Sequence, residues 1–193
     1  MALRWENNDM LSEQKVIPSI NNMKNYELFL KSSLEYCFIM DFHISVLEKI
    51  IKIGHDHHKK VIVHMDLING LSSDDFGCEY ILQNYHADGV ISTKRKVLET
   101  AIKNKAIAIQ RLFLIDSKSF EKGIKIANDI TPDYLEILPA LAYPALRRVK
   151  RSTNIPLIGG GLIADKEDID VCLEQGMLAV SISDYKLWSE YHD

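Results

Sequence analysis

The chain has 193 residues, of which 47% are hydrophobic and 26% are charged, as expected for a globular protein with a substantial core. Acidic residues (27) outnumber Lys and Arg residues (23), so the formal net charge is −4. This balance excludes a generally basic protein that coats nucleic acid or anionic membrane through its overall field, but it allows a local basic patch. No apolar run approaches the roughly 18 residues of a membrane span, and the polar, acidic beginning of the chain is unlike a signal peptide.

The beginning of the chain shows no regular hydrophobic period. We therefore expect a polar segment over residues 1–15 and a single domain over residues 16–193. Four hydrophobic residues are scattered in this segment, where they could cap one end of the domain or pack on a partner subunit: Leu3, Trp5, Met10 and Leu11.

Three cysteines lie far apart and form no CxxC pair, namely Cys37, Cys78 and Cys172. This spacing predicts neither a zinc knuckle nor a disulfide framework. We expect all three to pack in the core of a protein from a reducing, cytoplasmic setting.

Beyond the polar segment, a short apolar run, a turn and a stretch with helical periodicity recur to the end of the chain. The apolar runs predict eight strands, at residues 16–20, 37–41, 61–65, 89–91, 106–112, 134–138, 156–159 and 178–181. Helices are predicted between them, near residues 24–34, 45–55, 74–85, 94–104, 117–130, 144–151, 165–175 and 185–191. Suitable boundary residues support the helices, with Ser117 and Asp165 at helix starts and Gly176 at a helix end.

Alternating strands and helices indicate a parallel sheet joined by right-handed crossovers. Eight such units predict an α/β fold, a compact (β/α)8 TIM-like barrel at the small end of the usual size range. A doubly wound open sheet is the alternative if the weakest elements, the run at residues 89–91 and the last helix, do not form. In the barrel, ligands would bind at the carboxyl ends of the strands.

Polar residues collect at the predicted ends of the second and third strands. Asp41 with His43, and His64 with Asp66, are each spaced i, i+2. This spacing would point both members of a pair to the same side of a strand. We expect all four side chains at the mouth of the barrel.

Arg111 on the fifth strand and Glu136 on the sixth add charged groups to this mouth. Arg111 would either clamp a phosphate or other ligand, or neutralise the acids around it. The whole set best suits polar contacts to a small hydroxylated ligand. One alternative is a set of hydrogen bonds that stiffens the mouth. A metal site is the other, but the ligand spacing is not diagnostic, and we predict no bound metal.

The seventh strand runs into the segment IPLIGGGLIAD, where Gly159, Gly160 and Gly161 lead towards a helix capped by Asp165. Glycine lets the backbone approach a ligand closely, and N–H groups at a helix start favour an anion. The loops after strands seven and eight of such barrels recurrently bind phosphate, and Ser183 could donate to the same group. A simple tight turn is the alternative, and the place of the triplet in the seventh of eight units favours phosphate.

Seven segments, taken in order, resemble the glycerol uptake operon antiterminator regulatory proteins. They are VIPSINNMK, MDFHIS, VIVHMDLINGL, DGVISTK, AIQRLFLIDS, YLEILPA and IPLIGGGLI, and the similarity extends over residues 16–188. The resemblance implies a cytoplasmic bacterial regulator with a TIM-barrel-like fold. Such a regulator responds to glycerol 3-phosphate and acts on the leader mRNA of glycerol-utilisation genes, where it prevents premature termination of transcription.

The resemblance also implies where the effector binds, with no cofactor. Its phosphate would lie at Gly160, Gly161, Ser181 and Ser183. The other strand-end motifs of the family fall on Asp41, His43, His64, Asp66, Arg111 and Glu136. We expect effector binding to order the loop at residues 69–76 and to shift the population towards an RNA-binding form. This form could be a homo-oligomer, and we expect no membrane partner.

An enzyme acting on a small phosphorylated three-carbon substrate is the alternative function, because carboxylates and histidines are also general acids and bases. The fold itself does not decide between regulator and enzyme.

Binding RNA through a chain of net charge −4 requires a local basic surface. A solvated helix face is the alternative explanation for every basic run, and the run at residues 57–60 would lie at the opposite end of the barrel. The sequence shows no RNA-recognition motif and no aromatic stacking platform, so RNA binding is implied by the resemblance alone. Two clusters are candidates, Lys94, Arg95 and Lys96 at the ligand-facing end, and Arg147, Arg148, Lys150 and Arg151 before the seventh strand.

Overall fold

The computed structural model describes residues 14–191, so the hydrophobic residues Leu3, Trp5, Met10 and Leu11 lie outside the described part. Eight strands are present: β1 Val16–Ile20, β2 Tyr36–Ile39, β3 Lys60–His64, β4 Gly89–Ser92, β5 Ile107–Phe113, β6 Tyr134–Leu138, β7 Leu157–Gly160 and β8 Ala179–Ile182. They are parallel and close into a barrel in chain order, with β8 beside β1. The predicted (β/α)8 barrel is confirmed and the open sheet is wrong. The division of the chain between residues 15 and 16 stays a prediction.

An α-helix follows each strand: α1 Met23–Leu30, α2 Ile44–Asp56, α3 Asp75–Tyr80, α4 Arg95–Lys103, α5 Ser117–Ile130, α6 Tyr143–Ser152, α7 Lys166–Glu174 and α8 Tyr185–Trp188. A π-helical turn, Ile81–Tyr85, extends α3, and short 3-10 turns follow β3 and α8. Within residues 14–191, no helix is long and apolar enough to cross a membrane.

The strands are buried on both faces, which explains their nearly continuous apolar sequences. Inside the barrel, Ile17, Phe38, Ile62, Ile109 and Ile158 belong to one buried cluster. A larger cluster joins the outward faces of the strands to the helices. It contains all three cysteines, which are free and buried as predicted.

Aspartates start several of the helices. The Asp165 carboxylate accepts a hydrogen bond from the Asp168 N–H at the start of α7, as the sequence predicts. At α5 the cap is Asp116 rather than Ser117, since the Asp116 side chain accepts from the Ser119 N–H. Gly176 follows Gln175, the C-cap of α7, and has a φ of 77°, a conformation that glycine adopts without steric cost.

Candidate functional site

A polar layer closes the carboxyl end of the barrel interior. Successive side chains of a strand alternate between its two faces, so the residue two positions after an inward apolar residue also points inward, one step nearer the mouth. Starting from Ile17, Ile62, Ile109, Tyr134, Ile158 and Ala179 of the inner cluster, this rule gives the layer as Ser19, His64, Arg111, Glu136, Gly160 and Ser181. Five of these six positions were predicted from the sequence, and Ser19 was not.

Glu136 is the centre of this layer. Its side chain is fully buried, and Arg111 Nε donates to Glu136 Oε2 over 2.6 Å. Ser181 Oγ donates to the other carboxylate oxygen, Oε1, over 2.7 Å. Burying a carboxylate is costly unless it is paired and hydrogen-bonded, and both conditions are met here. Arg111 therefore does neutralise an acid at the mouth, which was one of its two predicted roles.

His64 lies in the same layer with only 2% of its surface exposed. Neither of its ring nitrogens has a hydrogen-bond partner among the described residues. The pKa of His64 is lowered to about 4, chiefly by burial and then by the nearby Arg111 guanidinium, which outweigh the opposing effect of the Glu136 and Asp66 carboxylates. The imidazole is thus neutral at neutral pH, with one N–H donor and one acceptor left for a ligand.

The predicted phosphate cradle divides into two levels. Gly160 belongs to the buried layer, because a Cβ atom there would lie 2.7 Å from Ser181 Oγ and 3.1 Å from Glu136 Oε1. This glycine therefore makes room for the Ser181–Glu136 hydrogen bond. Gly161 and Ser183 lie at the exposed rim. Gly161 has a φ of 72°, and a Cβ there would meet Leu138 only at an ordinary contact distance of 3.4 Å.

The start of α7 does not contribute free donors in the way the sequence suggests. Its first turn carries the acidic residues Glu167 and Asp168, directly after Asp165. The Ala164 N–H donates to the Asp168 carboxylate over 2.8 Å, and the Asp168 N–H donates to Asp165. The chain's own carboxylates therefore occupy this helix start, and an anion would have to bind nearer Gly161.

Asp66 supports the mouth from outside the layer. Its carboxylate accepts hydrogen bonds from the hydroxyls of Ser73, Ser92 and Thr93 and from the Thr93 N–H, at 2.6–2.9 Å. Burial alone would raise the pKa of Asp66, but these bonds outweigh it and hold the pKa below its ordinary value. Asp66 thus joins the loop after β3 to the loop after β4.

The expected same-side arrangement of Asp41 and His43 is wrong. β2 already ends at Ile39, and the backbone turns at Asp41, where φ is 61°. The Asp41 side chain is exposed, and His43 is the N-cap of α2, where its Nδ1 accepts from the Ser45 N–H. The structure does not bring either residue into the polar layer. No group of three or more potential metal-ligating side chains occurs within residues 14–191.

A family model described as "Glycerol-3-phosphate responsive antiterminator" matches residues 16–188. The chain belongs to this family. The resemblance found in the sequence is thereby confirmed over nearly the whole barrel.

Two solved structures agree with this assignment. A glycerol uptake operon antiterminator regulatory protein from Listeria monocytogenes is 34% identical, with a TM-score of 0.88 over 92% of this chain and 96% of that one. An antiterminator-related protein from Thermotoga maritima is 29% identical, with a TM-score of 0.78 over 91% and 98% of the two chains. The Escherichia coli protein called "Uncharacterized protein YgcP" is 29% identical over 93% of this chain and 94% of its own. An aldolase at 13% identity and a TM-score of 0.70 shares the fold alone.

In each of the two basic clusters of this antiterminator-family chain, some cations already have a partner within the chain and others do not. On α6, the Arg148 guanidinium stacks on Phe120 at 4.5 Å and Lys150 Nζ donates to the Gln175 carbonyl, which leaves Arg147 and Arg151 exposed without a described partner. At the start of α4, Lys94 Nζ donates to the Ser73 carbonyl, Arg95 pairs with Glu99 and Asp129, and Lys96 is exposed with no described partner. In the run at residues 57–60, Lys59 is buried and donates to the carbonyls of Ser32 and Leu34.

An exposed aromatic ring lies in the groove that the second of these clusters lines. Phe113, the last residue of β5, is 40% exposed and lines a groove together with Lys94 and Lys96. The sequence did not predict this exposed ring, because an aromatic residue at the end of an apolar strand is normally assigned to the core. The only available signal was its i, i+2 spacing from Arg111, which placed it beyond the polar layer.

Proposed function

We propose that this chain binds glycerol 3-phosphate at the mouth of the barrel and, in response, binds the leader mRNA of glycerol-utilisation genes and prevents premature termination of transcription. The observation that carries the effector site is the buried polar layer, in which the two ring nitrogens of His64 have no described partner. Buried polar groups are normally hydrogen-bonded. A small hydroxylated ligand would supply the partners that His64 lacks.

The layer matches the polyol half of such an effector. The neutral His64 ring offers one donor and one acceptor, and the Glu136 carboxylate has lone pairs beyond those that Arg111 and Ser181 use. Hydroxyl groups both donate and accept, so they can bond to each of these groups in turn. A hydrocarbon ligand of the same size would leave the layer unsatisfied, at about 1–3 kcal/mol for each buried polar group.

The phosphate half would lie at the rim, near Gly161 and Ser183. Both residues are exposed at the ends of adjacent strands. The Glu136 carboxylate repels an anion, so a cation must lie near the phosphate. Arg111 is suited to this, because it uses only its Nε to bond to Glu136, and the four other N–H donors of its guanidinium suit phosphate. In this arrangement Arg111 has both of the roles predicted from the sequence, since it neutralises Glu136 and clamps the phosphate.

Calorimetry on a matched pair of rim variants tests the effector site. Gly161→Asp places a carboxylate at the rim, and Gly161→Asn is the control, since both residues tolerate a positive φ better than other side chains. We expect wild type and Gly161→Asn to bind glycerol 3-phosphate and Gly161→Asp to lose at least tenfold in affinity. Equal affinities in the two variants would overturn the position of the phosphate, and no binding by wild type would overturn the effector. Gly160→Asp is less informative, because its side chain would collide with Ser181 and Glu136.

The RNA half of the proposal is tested separately. The affinity of wild type for a glycerol-gene leader RNA is measured with and without saturating glycerol 3-phosphate. A ligand shifts a conformational equilibrium only by its differential affinity for the two states. An RNA affinity that glycerol 3-phosphate leaves unchanged would contradict a glycerol-3-phosphate-responsive antiterminator. Light scattering in the same buffers shows whether a homo-oligomer forms with the effector.

An enzyme acting on a small phosphorylated three-carbon compound is the second candidate. It is favoured by one feature, a neutral imidazole and a carboxylate in the same buried layer, since both are general acid–base groups. Sustained product formation from such compounds by wild type, lost in His64→Gln, would establish this function. Binding without turnover, in the presence and absence of divalent metal, would favour the regulator.

A further inference from the structure

A groove of about 570 Å³ lies beside the mouth of the barrel, where α4 and α5 flank β5. The turn before α4 contributes Lys94, and the first turn of α4 contributes Arg95 and Lys96. The facing helix α5 contributes Lys122. The apolar part of the lining consists of Val97, Leu112, Phe113, Ile115 and Ile126.

The charge of this groove is opposite to that of the chain. Its lining contains five cationic residues and a single acid, Asp74, although the whole chain has a net charge of −4. Two of the cations, Lys96 and Lys122, are exposed and form no ion pair with any residue that the structure describes. Asp74 is occupied as the N-cap of α3, where it accepts from the Gly77 N–H. The groove therefore presents uncompensated positive charge to an anionic partner.

Two of the five apolar side chains that line the groove are exposed. Phe113 is 40% exposed and Ile115 is 77% exposed. Purely electrostatic binding of an anion would not require them. An aromatic ring beside lysines is instead the arrangement that binds single-stranded nucleic acid, in which phosphates contact the cations and an unstacked base covers the ring.

We propose that this groove is the RNA-binding surface of the chain. A single-stranded segment would place phosphates against Lys96 and Lys122 and stack a base on Phe113. This proposal rests on the proposed function for RNA as the partner. It adds that the groove is the surface that binds the RNA, and that the bound segment is single-stranded. A duplex fits less well, because its bases are stacked on one another and offer no free face to Phe113.

The α6 cluster is the competing surface, and it also keeps two exposed cations without a described partner, Arg147 and Arg151. What it lacks is an open aromatic ring, because its neighbour Phe120 is buried and already covered by Arg148. The groove, in contrast, adjoins the effector layer directly. Arg111 lines the groove and also donates to Glu136 inside the barrel, so RNA in the groove and an effector at the mouth would share one side chain.

Charge-matched variants separate the two surfaces. The groove variant combines Lys96→Glu with Lys122→Glu, and the control combines Arg147→Glu with Arg151→Glu, so the net charge of the protein changes equally in both. Phe113→Ala removes the stacking surface. The RNA probe is a leader-derived single strand of about 12 nucleotides, with the same strand annealed to its complement as the comparison, at saturating glycerol 3-phosphate.

We expect the groove variant to lose at least tenfold in affinity for the single strand. Its plot of log affinity against log salt should become less steep by about 1.4, which corresponds to two phosphate contacts on a single strand. Phe113→Ala should lose about tenfold with an unchanged salt slope. The α6 control should bind as wild type does, and all variants should bind glycerol 3-phosphate normally by calorimetry, which also shows that they are folded.

Other outcomes have distinct meanings. Loss of RNA binding in the α6 control but not in the groove variant would overturn the groove and leave the proposed function standing. Unchanged RNA affinity in the groove variant together with loss of a protein partner or of self-association would likewise overturn it. Tighter binding of the duplex than of the single strand would overturn the strandedness. A wild-type chain that binds glycerol 3-phosphate but no leader RNA would overturn the proposed function itself.

Discussion

Removing the guanidinium of Arg111 is the most informative perturbation of the buried layer. In Arg111→Met, the Glu136 carboxylate keeps its hydrogen bond from Ser181 but loses the one cation that pairs with it among residues 14–191. The side chains of Arg111 and Glu136 are 10% and 0% exposed, so water compensates for little of this loss. Breaking a buried ion pair by removing one partner costs about 3–5 kcal/mol, which is a large part of the total stability of a domain.

A second substitution separates the role of the pair in stability from its role in binding. Glu136→Gln keeps an oxygen that can accept from Ser181 but removes the charge. In the double variant Arg111→Met, Glu136→Gln, no unpaired charge is buried, and we expect at least ~2 kcal/mol of the loss in Arg111→Met to be recovered. The double variant should fold but should still fail to bind glycerol 3-phosphate.

Urea denaturation followed by circular dichroism measures these differences at pH 7. The expected loss in Arg111→Met corresponds to roughly 6–20 °C in Tm for a chain of this size. Lys52→Met is the control, because the Lys52–Asp56 ion pair is exposed at the surface of α2, where such pairs contribute little. A loss in Arg111→Met no larger than that in Lys52→Met would refute the reasoning, since Glu136 would then not be a buried carboxylate that depends on Arg111.

Three further predictions concern one residue of the layer, one beside it and one at the opposite end of the barrel. Burial lowers the pKa of His64 to about 4, whereas the same imidazole in the unfolded chain has an ordinary pKa of ~6.5. As the pH falls, the unfolded chain therefore binds a proton before the folded chain does. The free energy of unfolding is thus highest above pH ~6.5 and decreases as the pH falls towards 4. Between pH 7 and pH 5, wild type should therefore lose about 2 kcal/mol more stability than His64→Gln; equal losses would contradict it. Asp66→Ala should speed amide hydrogen exchange in residues 69–76, because the loop loses its bond from Ser73; unchanged protection would show that other contacts hold the loop. Lys59→Met should destabilise the fold by about 1–3 kcal/mol in urea denaturation without affecting effector affinity, because it leaves two buried carbonyls without their donor; a changed effector affinity would argue against a purely structural role.

The eight strands of the barrel could be predicted from the sequence, because strands that are buried on both faces have continuous apolar runs. Even the short run at β4 forms, since its neighbours β3 and β5 supply backbone partners on both sides. Strand ends were harder to predict. The apolar run of β2 continues past the point where the backbone leaves the sheet, so the strand alternation predicted for Asp41 and His43 does not apply to them.

The polar layer could be predicted in part for the same reason. His64, Arg111 and Glu136 stand where charged or polar side chains interrupt buried strands, which is a strong signal. The roles of the three glycines could not be separated by sequence, because only the structure shows that Gly160 accommodates the Ser181–Glu136 pair while Gly161 adopts a positive φ. Likewise, the exposure of Phe113 depends on where α4 and α5 leave the groove open, which hydrophobic periodicity does not report.

The position of Arg111 leads to a final prediction about communication between effector and RNA. Arg111 donates to Glu136 in the layer and lines the groove. Its planar guanidinium spreads five N–H donors over three nitrogens and can reach both sites at once, whereas a lysine has all its donors on one nitrogen. The ratio of RNA affinities with and without glycerol 3-phosphate measures the coupling, and by linkage the same ratio must appear in the effector affinities with and without RNA.

In Arg111→Lys, we expect this ratio to fall towards one even when each ligand still binds at sufficient concentration. The closed cycle of four affinities provides the internal check, because an error in any one of them breaks the equality. Because the ratio is independent of the absolute affinities, a general weakening of either site would not lower it. A ratio in Arg111→Lys equal to that of wild type would therefore show that the effector acts on RNA binding through another part of the barrel, with the loop held by Asp66 and Ser73 as the next part to test.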